Sequence, residues 1–116
     1  MRNFRKYQVW ELGHQITLDV YTLSKQFPKE ELFGLTSQMR RCSSSVPANI
    51  AEGCGRESEK EFKRFLIIAN GSATELEYFL ILIKDLKLAE LESIEKLIEK
   101  VDQLKRSLNR LISKLV

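Results

Sequence analysis

Seven apolar residues near the end of the chain recur at steps of three, four, three, four, three and four: Ile94, Leu97, Val101, Leu104, Leu108, Leu111 and Leu115. Only an α-helix keeps positions so spaced on one side, and the pattern is the a/d seam of coiled-coil packing. A seam of that length cannot be buried by its own helix. The remainder of the chain must supply helical partners, and shallow, left-handed crossing angles are expected between them.

The remainder reads accordingly. Val9, Leu12, Ile16, Val20, Leu23 and Phe27 mark one face of a helix over about 8–26, which Pro28 stops. Trp10, His14, Thr17 and Tyr21 run beside that face, either as the flank of the same core or as a contact with a neighbouring subunit. Leu35, Met39, Cys42, Val46 and Ile50 give a second helix over about 35–54, with Thr36 or Ser37 as its cap. Pro47 lies inside it. It takes away the bond to the Ser43 carbonyl, so a kink is expected there. Gly53 and Gly55 are expected to end this helix through a left-handed residue. Ser58 with Glu61 reads as a capping box opening a third helix over about 59–86, and a short turn near Lys87 leads to the fourth over about 90–115. Five glycines and two prolines in 116 residues leave little material for turns. The expected fold is all-α: one domain, an antiparallel up-down-up-down four-helix bundle with a kinked second helix.

Two segments of the third helix, Phe65 to Ala69 and Tyr78 to Ile83, are apolar on almost every side. A helix in a four-helix bundle always has an outer face, so these segments need a cover, and a neighbouring copy is the simplest one. Lys63, Arg64, Glu75 and Glu77 in the same helix argue against a membrane span.

The chemistry-bearing residues are few. His14 is the single histidine, which removes the commonest member of metal sites and catalytic triads. Cys42 and Cys54 have no partners at ligand spacing and form no disulfide framework. No catalytic residue, metal ligand, cofactor or small-molecule substrate is expected, and no signal peptide precedes the first charges, so the expected compartment is the cytoplasm. Asn49 with Glu52, and Asn70, Ser72 and Glu75, interrupt two apolar helices. They read as a buried polar cluster that fixes register, with an active-site carboxylate pair as the alternative. Net charge is only +3, which neither demands nor excludes nucleic acid. The basic residues to weigh are Arg40, Arg41, Lys63, Arg64, Lys105, Arg106 and Arg110. An RNA site would want them on one surface, or pooled across identical subunits.

The run Phe33-Gly34-Leu35-Thr36-Ser37-Gln38-Met39-Arg40-Arg41, followed by Ser45-Val46-Pro47-Ala48-Asn49-Ile50-Ala51-Glu52-Gly53, resembles a bacterial four-helix-bundle family. That family is named for proteins encoded in intervening sequences of 23S ribosomal RNA. Glu61-Phe62, Arg64-Phe65-Leu66, Ala69-Asn70-Gly71-Ser72 and Glu75-Leu76 extend the likeness over three helices. The resemblance implies a ring-shaped homopentamer associated with ribosomal RNA or a ribonucleoprotein. A similar bundle, the accessory variability protein of diversity-generating retroelements, is strongly basic and partners a reverse transcriptase. That role, as a protein-interaction scaffold, is the second expectation, and the modest charge of this chain departs from it.

Overall fold

The structure is a computed structural model that describes residues 2–116. Four helices make up the body: α1 (Gln8–Ser24), α2 (Ser37–Cys54), α3 (Glu59–Leu86) and α4 (Leu91–Ser113). Each packs on its neighbour in the chain, and α4 closes back onto α1. Cross-links show that every adjacent pair is antiparallel. Arg40 at the start of α2 bonds Ser24 at the end of α1, and Ser45 of α2 meets Ser72 of α3. Between α3 and α4, Lys84 pairs with Glu95, while Lys63 reaches the Leu115 carbonyl. Lys100 of α4 pairs with Asp19 of α1 at 2.7 Å. This is the all-α, up-down-up-down bundle that the seams require.

The core is the sum of those seams. Ile94, Leu97, Val101, Leu104 and Leu108 are buried, with Leu111 and Leu115 half-buried where the seam runs out. They meet Ile16, Val20 and Leu23 of α1, Met39, Val46 and Ile50 of α2, and Phe62, Leu66, Leu76, Leu80 and Ile83 of α3. Small residues set the closest approaches. A Cβ on Gly53 would stand 2.8 Å from the Phe65 Cβ, so this turn of α2 lies almost on the start of α3. One on Gly13 would stand 3.2 Å from Val46 Cγ1 and 3.5 Å from Pro47 Cδ.

At Pro47, α2 continues as helix on both sides of the ring. The carbonyl deprived of its donor, that of Ser43, accepts instead from the Thr17 hydroxyl of α1 at 3.0 Å. Thr17 shares the same hydrogen with the Gly13 carbonyl at 2.9 Å. A buried acceptor left by proline is thus satisfied from the next helix, as burial demands.

Helix ends depart from the sequence expectations in three places. Neither Thr36 nor Ser37 caps α2: Thr36 is itself helical, and a π-helical turn, Leu32–Thr36, runs directly into the helix. That wide turn follows a single 3-10 turn, Lys29–Glu31, so the orphan donors at the start of α2 are taken up by preceding backbone. Gly55 is right-handed (φ −83°), and no described glycine has a positive φ. The left-handed residue is Lys87 (φ 57°), just after α3. There Leu88 N–H bonds the Ile83 carbonyl and Lys87 N–H the Lys84 carbonyl, a Schellman closure with lysine where glycine is usual. The capping box at Ser58 is half formed. Ser58 Oγ accepts from Glu61 N–H, but the Glu61 carboxylate turns to Arg64. Residues 2–7 lie folded along α1, α2 and α3. Arg2 N–H bonds the Cys54 carbonyl and its guanidinium sits 4.1 Å from the Phe62 ring centroid, while Phe4 packs edge-on against Trp10.

Two substitutions test this account by thermal or denaturant unfolding. Thr17→Val keeps shape and removes the donor to Ser43, and is expected to cost about 1–3 kcal/mol, with Thr17→Ser largely preserving stability. Lys87→Gly relieves a left-handed lysine and is expected to add about 1 kcal/mol.

Candidate nucleic-acid interface

The antiparallel chain path decides which basic residues can act together. α1 ends and α2 begins at one pole of a molecule 43 Å long; α2 ends, α3 begins and α4 ends at the other. Arg40 and Arg41, in the first two turns of α2, therefore belong to the first pole. Lys63 and Arg64, in the second turn of α3, and Arg110, near the end of α4, belong to the opposite one. Arg40 and the end of α2 are about 20 Å apart along the helix axis.

Their partners differ as well. Arg64 bonds Glu61 at 2.9 Å, Arg106 pairs with Asp102 at 3.1 Å, and Lys105 holds Glu77 at 2.9 Å. Each of these three charges is answered by a carboxylate. The Arg64–Glu61 hydrogen bond lowers the carboxyl pKa and raises that of the guanidinium. Lys105 with Glu77 is the most enclosed of these pairs and ties α4 to α3. The remaining four engage no carboxylate within 4.0 Å among the described residues. Arg40 donates from Nε to Ser24 Oγ at 2.8 Å and lies over the Tyr21 ring. Lys63 reaches only the Leu115 carbonyl, and Arg110 only Ser107 Oγ. Arg41 is exposed, beside Arg40 in the chain, and lines clefts on both sides of itself.

The polar residues expected to form one buried cluster divide among four settings. Asn49 donates to the Ser45 carbonyl and hydroxyl, and Ser45 Oγ meets Ser72 Oγ at 2.9 Å. This α2–α3 link is the cross-helix part of the expected register lock. Asn70 turns the other way and donates to Asn109 of α4, its own carbonyl oxygen buried without a partner. Glu52 is exposed and pairs with Arg56. Glu75 is exposed on the rim of a cleft lined by Gln38, Arg41, Cys42, Ser45 and Ser72. Ser45 and Arg41 were legible in the sequence as residues, but only the structure puts them against Ser72 and Glu75.

His14 stacks on Trp10 with ring centroids 5.2 Å apart and does not line the cleft on whose rim Glu75 lies. Among the described residues no three His, Cys, Asp or Glu side chains gather as a metal set. The Cys42 thiol is buried. Loss of hydration, aided by the Glu75 carboxylate, pushes its pKa up to about 12. Cys54 is raised by burial too, with Arg2 opposing.

A four-helix bundle with helices in cyclic order, a proline-bearing second helix and a third helix apolar on its outer face defines the class of protein. Within it, the chain belongs to the 23S rRNA-intervening sequence protein family, whose pattern it matches over residues 5–110. Among solved structures it is similar to a protein with unknown function from the S23 ribosomal protein family of Bacteroides thetaiotaomicron. The two are 25% identical, with a TM-score of 0.83 over 90% of this chain and 97% of that one. No curated protein matches it.

Because the thiolate is the reactive form, both cysteines are expected to resist iodoacetamide at mildly alkaline pH in the folded protein and to react once it is unfolded. Mass spectrometry of the alkylated peptides checks this. Ready labelling of Cys42 under native conditions would contradict the burial described.

Proposed function

We propose that the protein is a non-enzymatic, self-assembling bundle, a ring-shaped homopentamer as the family resemblance implies, that carries RNA on its basic residues in the cytoplasm. One observation carries the assembly. Ile67, Gly71, Thr74, Tyr78 and Ile81 follow one another at steps of four, three, four and three along the outside of α3. Ile67, Tyr78 and Ile81 are each about half exposed, and Gly71 and Thr74 are exposed too. This is a second seam, complete in spacing and unpartnered within the protomer. A Cβ on Gly71 would meet nothing within 4 Å. Glycine in mid-helix costs about 0.5–1 kcal/mol relative to alanine, and no contact inside the protomer requires it. A flat place in an apolar seam is suited to the close approach of another chain.

α3 also has the length and apolarity of a membrane-crossing helix, but its inner face, from Phe62 to Ile83, is the core of the bundle. A protein cover for the outer seam keeps that core intact. The RNA part of the reading is supported by the family's connection with 23S rRNA and by Arg40, Arg41, Lys63 and Arg110, which pair with no carboxylate among the described residues. Repetition around a ring multiplies these charges although one protomer has few.

Sedimentation velocity at micromolar concentration is expected to show a multimer. Tyr78→Arg and Gly71→Arg should convert it to monomers with helical circular dichroism retained, since both positions face outward. A wild-type monomer under these conditions rules out the assembly. RNA affinity of the wild-type assembly is expected to fall steeply as salt rises, and Arg110→Ala should flatten that slope.

A further inference from the structure

The π turn before α2 does something the bundle does not need. Leu35 and Thr36 face inward, yet Phe33 is 93% exposed. Beside it lies a cleft of about 430 Å³ between the end of α1 and the start of α2. Its walls are Tyr21, Phe33, Thr36, Ser37, Arg40 and Arg41, with Leu32 at the edge. The lining has two guanidinium groups and three hydroxyls, and no carboxylate. The preceding Glu31 points toward Gly34, outside that lining. Arg40 is held in place twice, by Ser24 Oγ at 2.8 Å and by the Tyr21 ring, 4.8 Å from its centroid. Its Nε is occupied, so the terminal nitrogens of the fork remain for a ligand.

We propose that this cleft is a subsite for an unpaired nucleotide of RNA, the base stacked on Phe33 and the phosphate held by Arg41 and the fixed Arg40. An exposed aromatic ring beside an anion-binding pair is what a single strand offers contacts for: a free base face and a phosphate a few ångströms away. A duplex hides its base faces, so it cannot use Phe33. The proposal rests on the RNA-binding part of the reading above and adds to it a single-stranded subsite at the π-turn pole, opposite the pole of Lys63 and Arg110.

Fluorescence anisotropy with a labelled single-stranded oligoribonucleotide, and with the same strand annealed to its complement, tests it on the assembled protein over a salt series. The wild type is expected to prefer the single strand. Phe33→Ala and Phe33→Leu should weaken that binding by roughly tenfold. Phe33→Trp should retain it, and none of the three should alter the salt slope or the sedimentation coefficient. Arg41→Ala should lower the slope by about one charge. Equal binding of single strand and duplex, or no effect of Phe33→Ala, overturns the subsite and leaves RNA binding standing. No binding of either RNA by the wild type overturns both. Dissociation of the assembly by Phe33→Ala overturns the subsite as well, and makes the cleft a contact between copies.

Discussion

The hydroxyl of Thr17 holds the bundle to its sequence. Pro47 breaks one rung of the α2 hydrogen-bond ladder in the middle of the protein, and the orphaned Ser43 carbonyl is buried. An unsatisfied acceptor there is costly, and water is excluded. Thr17 reaches it only because Gly13, one turn earlier on α1, lets the proline ring and Val46 come close. Donor, gap and break are therefore one unit spread over two helices. Sliding α1 by a single residue would carry both donor and gap away from the break, so this contact adds to the apolar packing in fixing the α1–α2 register. The Ser45–Ser72 bond performs a weaker version of the same task between α2 and α3.

Much of this was legible because helical periodicity is a strong signal. The a/d seam of α4, the stripes of α1 and α2 and the overfull apolarity of α3 each indicated a buried face, and together they required a bundle. Pro47 indicated its missing bond. What the sequence hid were the quantities set by neighbours. Asn70 and Ser72 are two residues apart, so on a helix they point in nearly opposite directions, one to α4 and one to α2. A cluster containing both could not form, although each interrupts the same apolar run. Leu32 to Thr36 has the composition of a helix start, and nothing in it distinguishes a capped entry from a π turn. Lys87 carries no sign of a left-handed conformation, because glycine is the usual marker and it is absent.

The basic residues teach a related lesson. Arg40 and Arg41 stand about twenty positions before Lys63 and Arg64, and α2 and α3 touch along their length. Proximity in a helical pair depends on distance from the shared turn, however. Residues early in α2 meet residues late in α3. Glu75, not Lys63, is accordingly the residue on the rim beside Arg41. Carboxylates then decide which charges remain available, and Glu61, Glu77 and Asp102 answer three of them.

An even number of antiparallel helices brings both chain ends to one pole. Arg2 is bonded to Cys54 and Val116 to Glu59, so the two ends flank the α2–α3 corner. A peptide linker could join them with little strain, and the chain could be reopened at Lys87. Such a circular permutant would keep all four helices while moving the new ends to the pole of the π turn. Fusions and labels attached beside Arg2 or Val116, conversely, would crowd the Lys63 pole. The molecule thus offers its maker a handle at one end and an undisturbed surface at the other.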